Sequence, residues 1–207
     1  MKLYFHPWSP NACKVLITAL LLDMPLEKSP VNLLAGEQRK ADFLKLNPNG
    51  LVPTLQDGDF VLWESNAIMQ YLGSRWPGNT LWPAVERTRA DISRWQCWEL
   101  AHWGPALRIY LFENMFKKIM GQGAPDPAEI RKGEEQFRRC AGVLEGHLTD
   151  RDYLVGNGLT LADISMAAYL MYAQPAQVPL EDYPQIRRWF GRIETLPAWQ
   201  QTQPTMG

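Results

Sequence analysis

The stretch Asn47-Pro-Asn-Gly-Leu-Val-Pro-Thr-Leu55 limits what this chain can become more than any other. Pro53 sits inside an apolar, strand-like run. Proline cannot donate to a sheet ladder, so it belongs at a strand start, an edge or a bulge. A cis peptide at Val52-Pro53 suits that position, because cis bonds are essentially confined to X-Pro and mark fixed turns. Such a turn leaves the Val52 backbone groups available to an extended, peptide-like ligand, a small case of strand addition. A second strand-like run over residues 60–63 leads to Glu64-Ser65 and then to a helical pattern over residues 66–75. Ser65 is expected to cap that helix, and the N–H groups of its first turn favour a bound carboxylate. Together these pieces predict a pocket for a short anionic peptide.

Around this segment the pattern is mixed. Residues 3–5 read as a strand, and Ser9-Pro10 as a helix start with serine at the cap and proline at the first helical position. Ala12, Val15, Leu16, Ala19 and Leu20 recur at helical spacing. Residues 26–31 form a second expected strand, 36–45 a loop with a short helix, and Gln56-Asp-Gly-Asp59 the turn of a hairpin. The Trp-Pro breaks at Trp76-Pro77 and Trp82-Pro83 end this character. Beyond them a helical pattern runs over residues 86–118, with Gly104-Pro105 expected to kink or divide it. Helices are also expected over 128–148 and 186–196. Thr160 and Asp163 have capping-box spacing, and Leu159 and Ile164 that of a hydrophobic staple. The reading is a small thioredoxin-like α/β domain over residues 1–79 followed by an all-helical domain over 86–207.

Composition excludes several classes. The net charge of −1, from 21 basic and 22 acidic residues, provides no field to recruit nucleic acid or an anionic membrane. Three cysteines far apart, with no Cys-x-x-Cys spacing, argue for a reducing compartment and against a disulfide framework. The three histidines show no metal-ligand spacing, so no metal is expected. The apolar run over residues 15–22 is too short to span a bilayer, and Asp23 and Pro25 follow it at once, unlike a signal peptide. A cytoplasmic protein is expected.

Val52-Pro53 followed by Glu64-Ser65 resembles the glutathione site of the cytosolic glutathione S-transferases. The similarity extends through Gly36-Glu-Gln-Arg39, Phe43-Leu-Lys-Leu-Asn-Pro48 and Thr160-Leu-Ala-Asp163, and covers nearly the whole chain. It looks most like the bacterial, serine-type, theta- and phi-like members. The resemblance implies the transferase architecture, glutathione as co-substrate, a small hydrophobic electrophile as second substrate, a detoxification role and a homodimer. It places Ser9 at the position of the catalytic serine, with Asn11 as a second possible donor to the sulfur. Ser9 also stands where a thioredoxin-type fold has the first cysteine of its redox pair, and alanine stands three residues later, so thiol–disulfide cycling by the protein itself is not expected. Glu64 would hold the γ-glutamyl ammonium and Ser65 its carboxylate. Gln38 and Arg39 stand where phi-like members often have His-Lys, and Arg39 would clamp the glycyl carboxylate. Trp8 and Phe112 are the candidate walls of the electrophile pocket.

The chemistry asked of Ser9 is modest. Thiolate is the attacking species, and a free thiol titrates near about 8.5. Lowering it by ~2 units needs about 2.7 kcal/mol of preference for the anion. A hydrogen bond to a charged group contributes roughly 1.5–3 kcal/mol, and a helix N-terminus about 0.3–1 kcal/mol. One hydroxyl and one helix end therefore suffice without a general base. The same site would equally serve a glutathione-dependent isomerase, peroxidase or dehalogenase. A non-catalytic ligand carrier or interaction module on this fold also stays open, because fold does not set function.

Overall fold

Four short strands, in the order β2-β1-β3-β4, carry the first unit of this computed structural model, which describes residues 1–203. They are β1 (Lys2–Phe5), β2 (Glu27–Pro30), β3 (Thr54–Asp57) and β4 (Phe60–Trp63). β1 pairs parallel with β2 and antiparallel with β3, and β3 pairs antiparallel with β4. The parallel pair needs a crossover, supplied by α1 (Pro10–Leu21). Pro30 ends the edge strand β2, where its missing donor costs no ladder bond. A 3₁₀ turn (Glu37–Arg39) and α2 (Ala41–Leu46) precede β3, and α3 (Ser65–Arg75) follows β4. Leu3, Val15, Ile17, Leu55, Ile68, Met69 and Leu72 are fully buried and form the core that α1, α3 and the sheet share. The expected strand–helix–strand–helix–strand–strand–helix order of a thioredoxin-like domain is what the chain adopts.

The second unit, Val85–Thr195, contains no strand among its described residues. It opens with α4 (Glu86–Trp98), α5 (Gly104–Leu111) and the short α6 (Lys117–Ile119). Five-residue π-helical turns, Glu99–Trp103 and Phe112–Phe116, separate them. The division expected at Gly104-Pro105 is therefore present as a widened turn, with the chain staying helical through it. Proline lacks the N–H that would continue an α-helical ladder, and the turn immediately before it widens instead. α7 (Pro127–His147) is capped by Asp126, whose carboxylate accepts from the Ala128 N–H at 2.8 Å. α8 (Leu161–Ala167) carries the capping box read from Thr160 and Asp163, and a 3₁₀ segment (Ala168–Tyr172) extends it. α9 (Pro184–Glu194) buries Ile186, Trp189, Phe190 and Ile193, and its first N–H groups, from Gln185 and Ile186, donate to Glu145 at 2.9 and 3.0 Å.

The expectation of one helical domain reaching residue 207 is corrected over 196–203. The helix expected over residues 186–196 ends at Glu194, before Pro197 is reached. Pro197 begins another, α10 (Pro197–Gln200), which belongs to the first unit. α10 touches α1, Trp199 is buried, and the Thr202 carbonyl oxygen lies 3.7 Å from the Cys13 sulfur. Residues 204–207 lie outside the described residues. Among those described, no helix is long and apolar enough to cross a membrane.

Candidate active site

The strand register gathers three chain segments at one end of the sheet. Tyr4 pairs with Thr54, and Thr54 with Trp63. One step further along each strand lie Phe5, Pro53 and Glu64. The peptide Val52-Pro53 is cis. Among the described residues, none of the backbone hydrogen bonds outside helices and strands engages Val52. The loop before it is braced from within. Asn47, 2 % exposed, donates from Nδ2 to the Leu51 carbonyl at 2.8 Å and to Thr54 Oγ1 at 3.1 Å. Its own Oδ1 accepts from the Asn49 N–H at 3.0 Å. Gly50 has φ 61°, and a Cβ there would lie 3.1 Å from the Gln38 carbonyl oxygen. Only glycine meets both demands easily, and this close approach sets the 3₁₀ turn bearing Gln38 against the loop.

Ser9 caps α1. Its Oγ accepts from the Ala12 N–H at 3.2 Å, and its carbonyl accepts from the Ala12 and Cys13 N–H groups at 3.0 and 2.9 Å. Accepting uses only a lone pair, so the hydroxyl keeps its proton to donate. Asn11 stands in the first turn of the same helix. Cys13, one turn further in, donates to the Pro7 carbonyl at 3.3 Å, and burial pushes its thiol up to about 12. That thiol is a packed, protonated group rather than a nucleophile.

The start of α3 differs from the expectation. Ser65 is not the cap. The cap position falls to Glu64, one residue earlier, and its side chain makes no capping bond. Glu64 adopts φ 71° and ψ 108°, a left-handed region that costs a non-glycine residue on the order of 1–3 kcal/mol. Ser65 is then the first helical residue, 4 % exposed, and its Oγ donates to Asn11 Oδ1 at 3.4 Å. This contact ties the start of α3 to the start of α1. The Glu64 side chain remains exposed.

Gln38 Nε2 donates to the Leu33 carbonyl at 3.3 Å, while its Oε1 is buried with no partner among the described residues. Arg39 is exposed at the end of the 3₁₀ turn and pairs with no carboxylate among the described residues. Trp8 is half-buried, its indole edge-on to His6 with centroids 5.5 Å apart. Phe112 belongs to the second unit, where it opens a π-helical turn, is 41 % exposed and lies under Lys117 Nζ at 5.7 Å. Among the described residues no group of three or more acidic, histidine or cysteine side chains could hold a metal.

Sequence reasoning passes over Asn47 and His6. Asn47 is visible as part of a turn cluster, but its bonds to both sides of Val52-Pro53 depend on the folded loop. His6 has no motif around it.

The first unit thus combines a thioredoxin-type sheet, a proline-turned strand edge, a helix-capping serine and a second helix start whose cap makes no side-chain bond. Comparison with known proteins assigns the chain to a family. The sequence matches the family "Glutathione S-transferase, N-terminal domain" over residues 1–74 and "Glutathione S-transferase, C-terminal domain" over residues 108–197. It is 36% identical over 207 residues to glutathione S-transferase 3 of Zea mays, covering 98% of this chain and 92% of that protein. The fold is similar to glutathione transferase F7 from Populus trichocarpa, with TM-score 0.90, 28% identity and coverage of 97% and 96%. It is also similar to glutathione S-transferase I bound with lactoylglutathione, with TM-score 0.89, 28% identity and coverage of 99% of both chains. The chain belongs to the glutathione S-transferase family.

Proposed function

We propose that this glutathione transferase is serine-type and theta/phi-like, and that the Ser9 hydroxyl donates a hydrogen bond to the sulfur of bound glutathione, favouring loss of the thiol proton to solvent. The thiolate so favoured attacks a small hydrophobic electrophile. The observation that carries this reading is the Ser9 geometry: its oxygen is engaged by the Ala12 N–H while its proton is left to donate. Asn11, held by Ser65, stands as a second donor from the same turn. The Val52 backbone beside Pro53 pairs with the peptide as an added strand. Glu64 takes the γ-glutamyl ammonium, and Ser65 with the start of α3 takes its carboxylate. Arg39, with Gln38 beside it, takes the glycyl carboxylate. Trp8, beside Ser9 in the first unit, contributes apolar surface for the electrophile. The reading extends to a cytoplasmic homodimer with no nucleic-acid or membrane partner.

The test is retention on immobilised glutathione followed by conjugation of an activated chloronitroaromatic. Retention with turnover is expected. Retention without turnover would point to a carrier, and loss of both would remove the assignment of this site. One chain per particle by light scattering would contradict the dimer.

A further inference from the structure

The turn that delivers Ser9 to α1 is held by a side chain with no role yet in peptide binding or thiol activation. Residues His6, Pro7, Trp8 and Ser9 form it, closed by the Ser9 N–H donating to the His6 carbonyl at 3.0 Å. A second bond lies inside the first: the Trp8 N–H donates to His6 Nδ1 at 3.1 Å. The imidazole thus accepts from the backbone two residues on, as an aspartate or asparagine does in an Asx-turn. The ring is also packed edge-on to Trp8, with planes 79° apart. On the far side the Cys13 thiol holds the Pro7 carbonyl. The turn is therefore pinned at each of its first three residues before Ser9 begins.

We propose that His6 is a positioning residue for the transferase reaction: its Nδ1, by holding the Trp8 N–H, fixes the turn that aims the Ser9 hydroxyl. This rests on Ser9 being the donor to sulfur. Nδ1 accepts only if the proton of the neutral ring is on Nε2. Partial burial lowers the histidine pKa from its ordinary value, which favours that neutral form. A leucine at this position would keep apolar bulk and lose the acceptor. An asparagine would restore an acceptor for the same N–H without any ring.

The experiment is a titration of the glutathione thiol, bound at saturation, by thiolate absorbance in the wild type, Ser9→Ala, His6→Leu and His6→Asn, with KM for glutathione and kcat alongside. His6→Leu is expected to raise the titration midpoint by about one unit, which is about a tenfold loss of thiolate at pH values below both midpoints. KM for glutathione should change less than kcat, since the peptide-holding residues are untouched. His6→Asn should return the midpoint to within a few tenths of a unit of wild type. A role in stability alone would lower the melting temperature of His6→Leu and leave its midpoint in place. If Ser9→Ala shifts the midpoint but His6→Leu does not, the inference about His6 is overturned and the Ser9 reading stands. If His6→Leu and His6→Asn shift it equally, the acceptor role is overturned. If Ser9→Ala itself changes nothing, the reading beneath both is lost.

Discussion

Asp163 is the residue whose removal should do most damage to the second unit. Its side chain is fully buried. Oδ1 accepts the Leu154 N–H at 2.8 Å and the Trp189 indole N–H at 2.9 Å; Oδ2 accepts the Thr160 N–H at 2.9 Å and the Thr160 hydroxyl at 3.1 Å. Asp163→Ala orphans three N–H donors on residues themselves buried, at roughly 1–3 kcal/mol each. The Thr160 hydroxyl can turn elsewhere. Two effects pull the sum down. Neighbouring losses do not add, and removing the carboxylate relieves its own desolvation, which is what raises the Asp163 pKa against the pull of its donors. A net loss of about 3–5 kcal/mol follows, at the upper end of single-residue effects. For a chain of this length that is roughly 6–20 °C in melting temperature. Asp163→Asn keeps an oxygen for Leu154 and Trp189 but turns an amide toward Thr160, so its loss should be about half. Denaturant and thermal unfolding of the three proteins check the order. An Asp163→Ala protein within about 1 kcal/mol of wild type would refute the reasoning that these donors have no other partner.

Gly73→Ala improves helix propensity yet should destabilise by about 1–3 kcal/mol, because its new Cβ would lie 2.6 Å from the Trp82 Cβ; equal or higher stability in urea would show that Trp82 yields. Glu113 is buried, and its pKa is held below the ordinary carboxylate value by the Asp126 N–H first and by Lys117. A depressed folded value stabilises above the unfolded pKa, about 4.3, and that contribution fades as pH falls through the lower folded value. Glu113→Gln should therefore lose roughly 1–2 kcal/mol at pH 7 and converge with wild type in acid; a constant gap across pH would contradict this. Iodoacetamide on the native protein should modify Cys97, which is exposed, and spare buried Cys13 and Cys140, whose thiols burial pushes up; peptide mass spectrometry reads the outcome, and rapid labelling of Cys13 would undo its assignment as a packed group.

Local chemistry makes much of this fold legible in the order of residues alone. Pro53 within an apolar run marks a turned strand edge, Ser9-Pro10 a helix start, and Thr160 with Asp163 a capping box, because each depends on residues a few positions apart. What escapes depends on distant partners. Glu64 carries no side-chain signal for a positive φ, so the sequence pattern puts the start of α3 one residue late, with Ser65 as cap. The π-helical turn before Pro105 arises where Gly104 packs against buried Glu99 and Tyr169, neighbours the local sequence does not reveal. Nothing near Pro197 signals that the chain returns to the first unit, where the Thr202 carbonyl lies 3.7 Å from the Cys13 sulfur. The bond from Ser65 to Asn11 spans 54 positions and has no sequence signature.

The Ser9 hydroxyl, on the mechanism proposed, lowers the thiol pKa of bound glutathione. Titrating that thiol at saturating glutathione, in wild type, Ser9→Ala and Asn11→Ala, tests this most directly. The wild-type midpoint should lie well below that of free glutathione. Ser9→Ala should raise it by about 1–2 units, from a charge-assisted hydrogen bond of roughly 1.5–3 kcal/mol, and Asn11→Ala by less. A Ser9→Ala midpoint indistinguishable from wild type, with glutathione demonstrably bound, would contradict the mechanism.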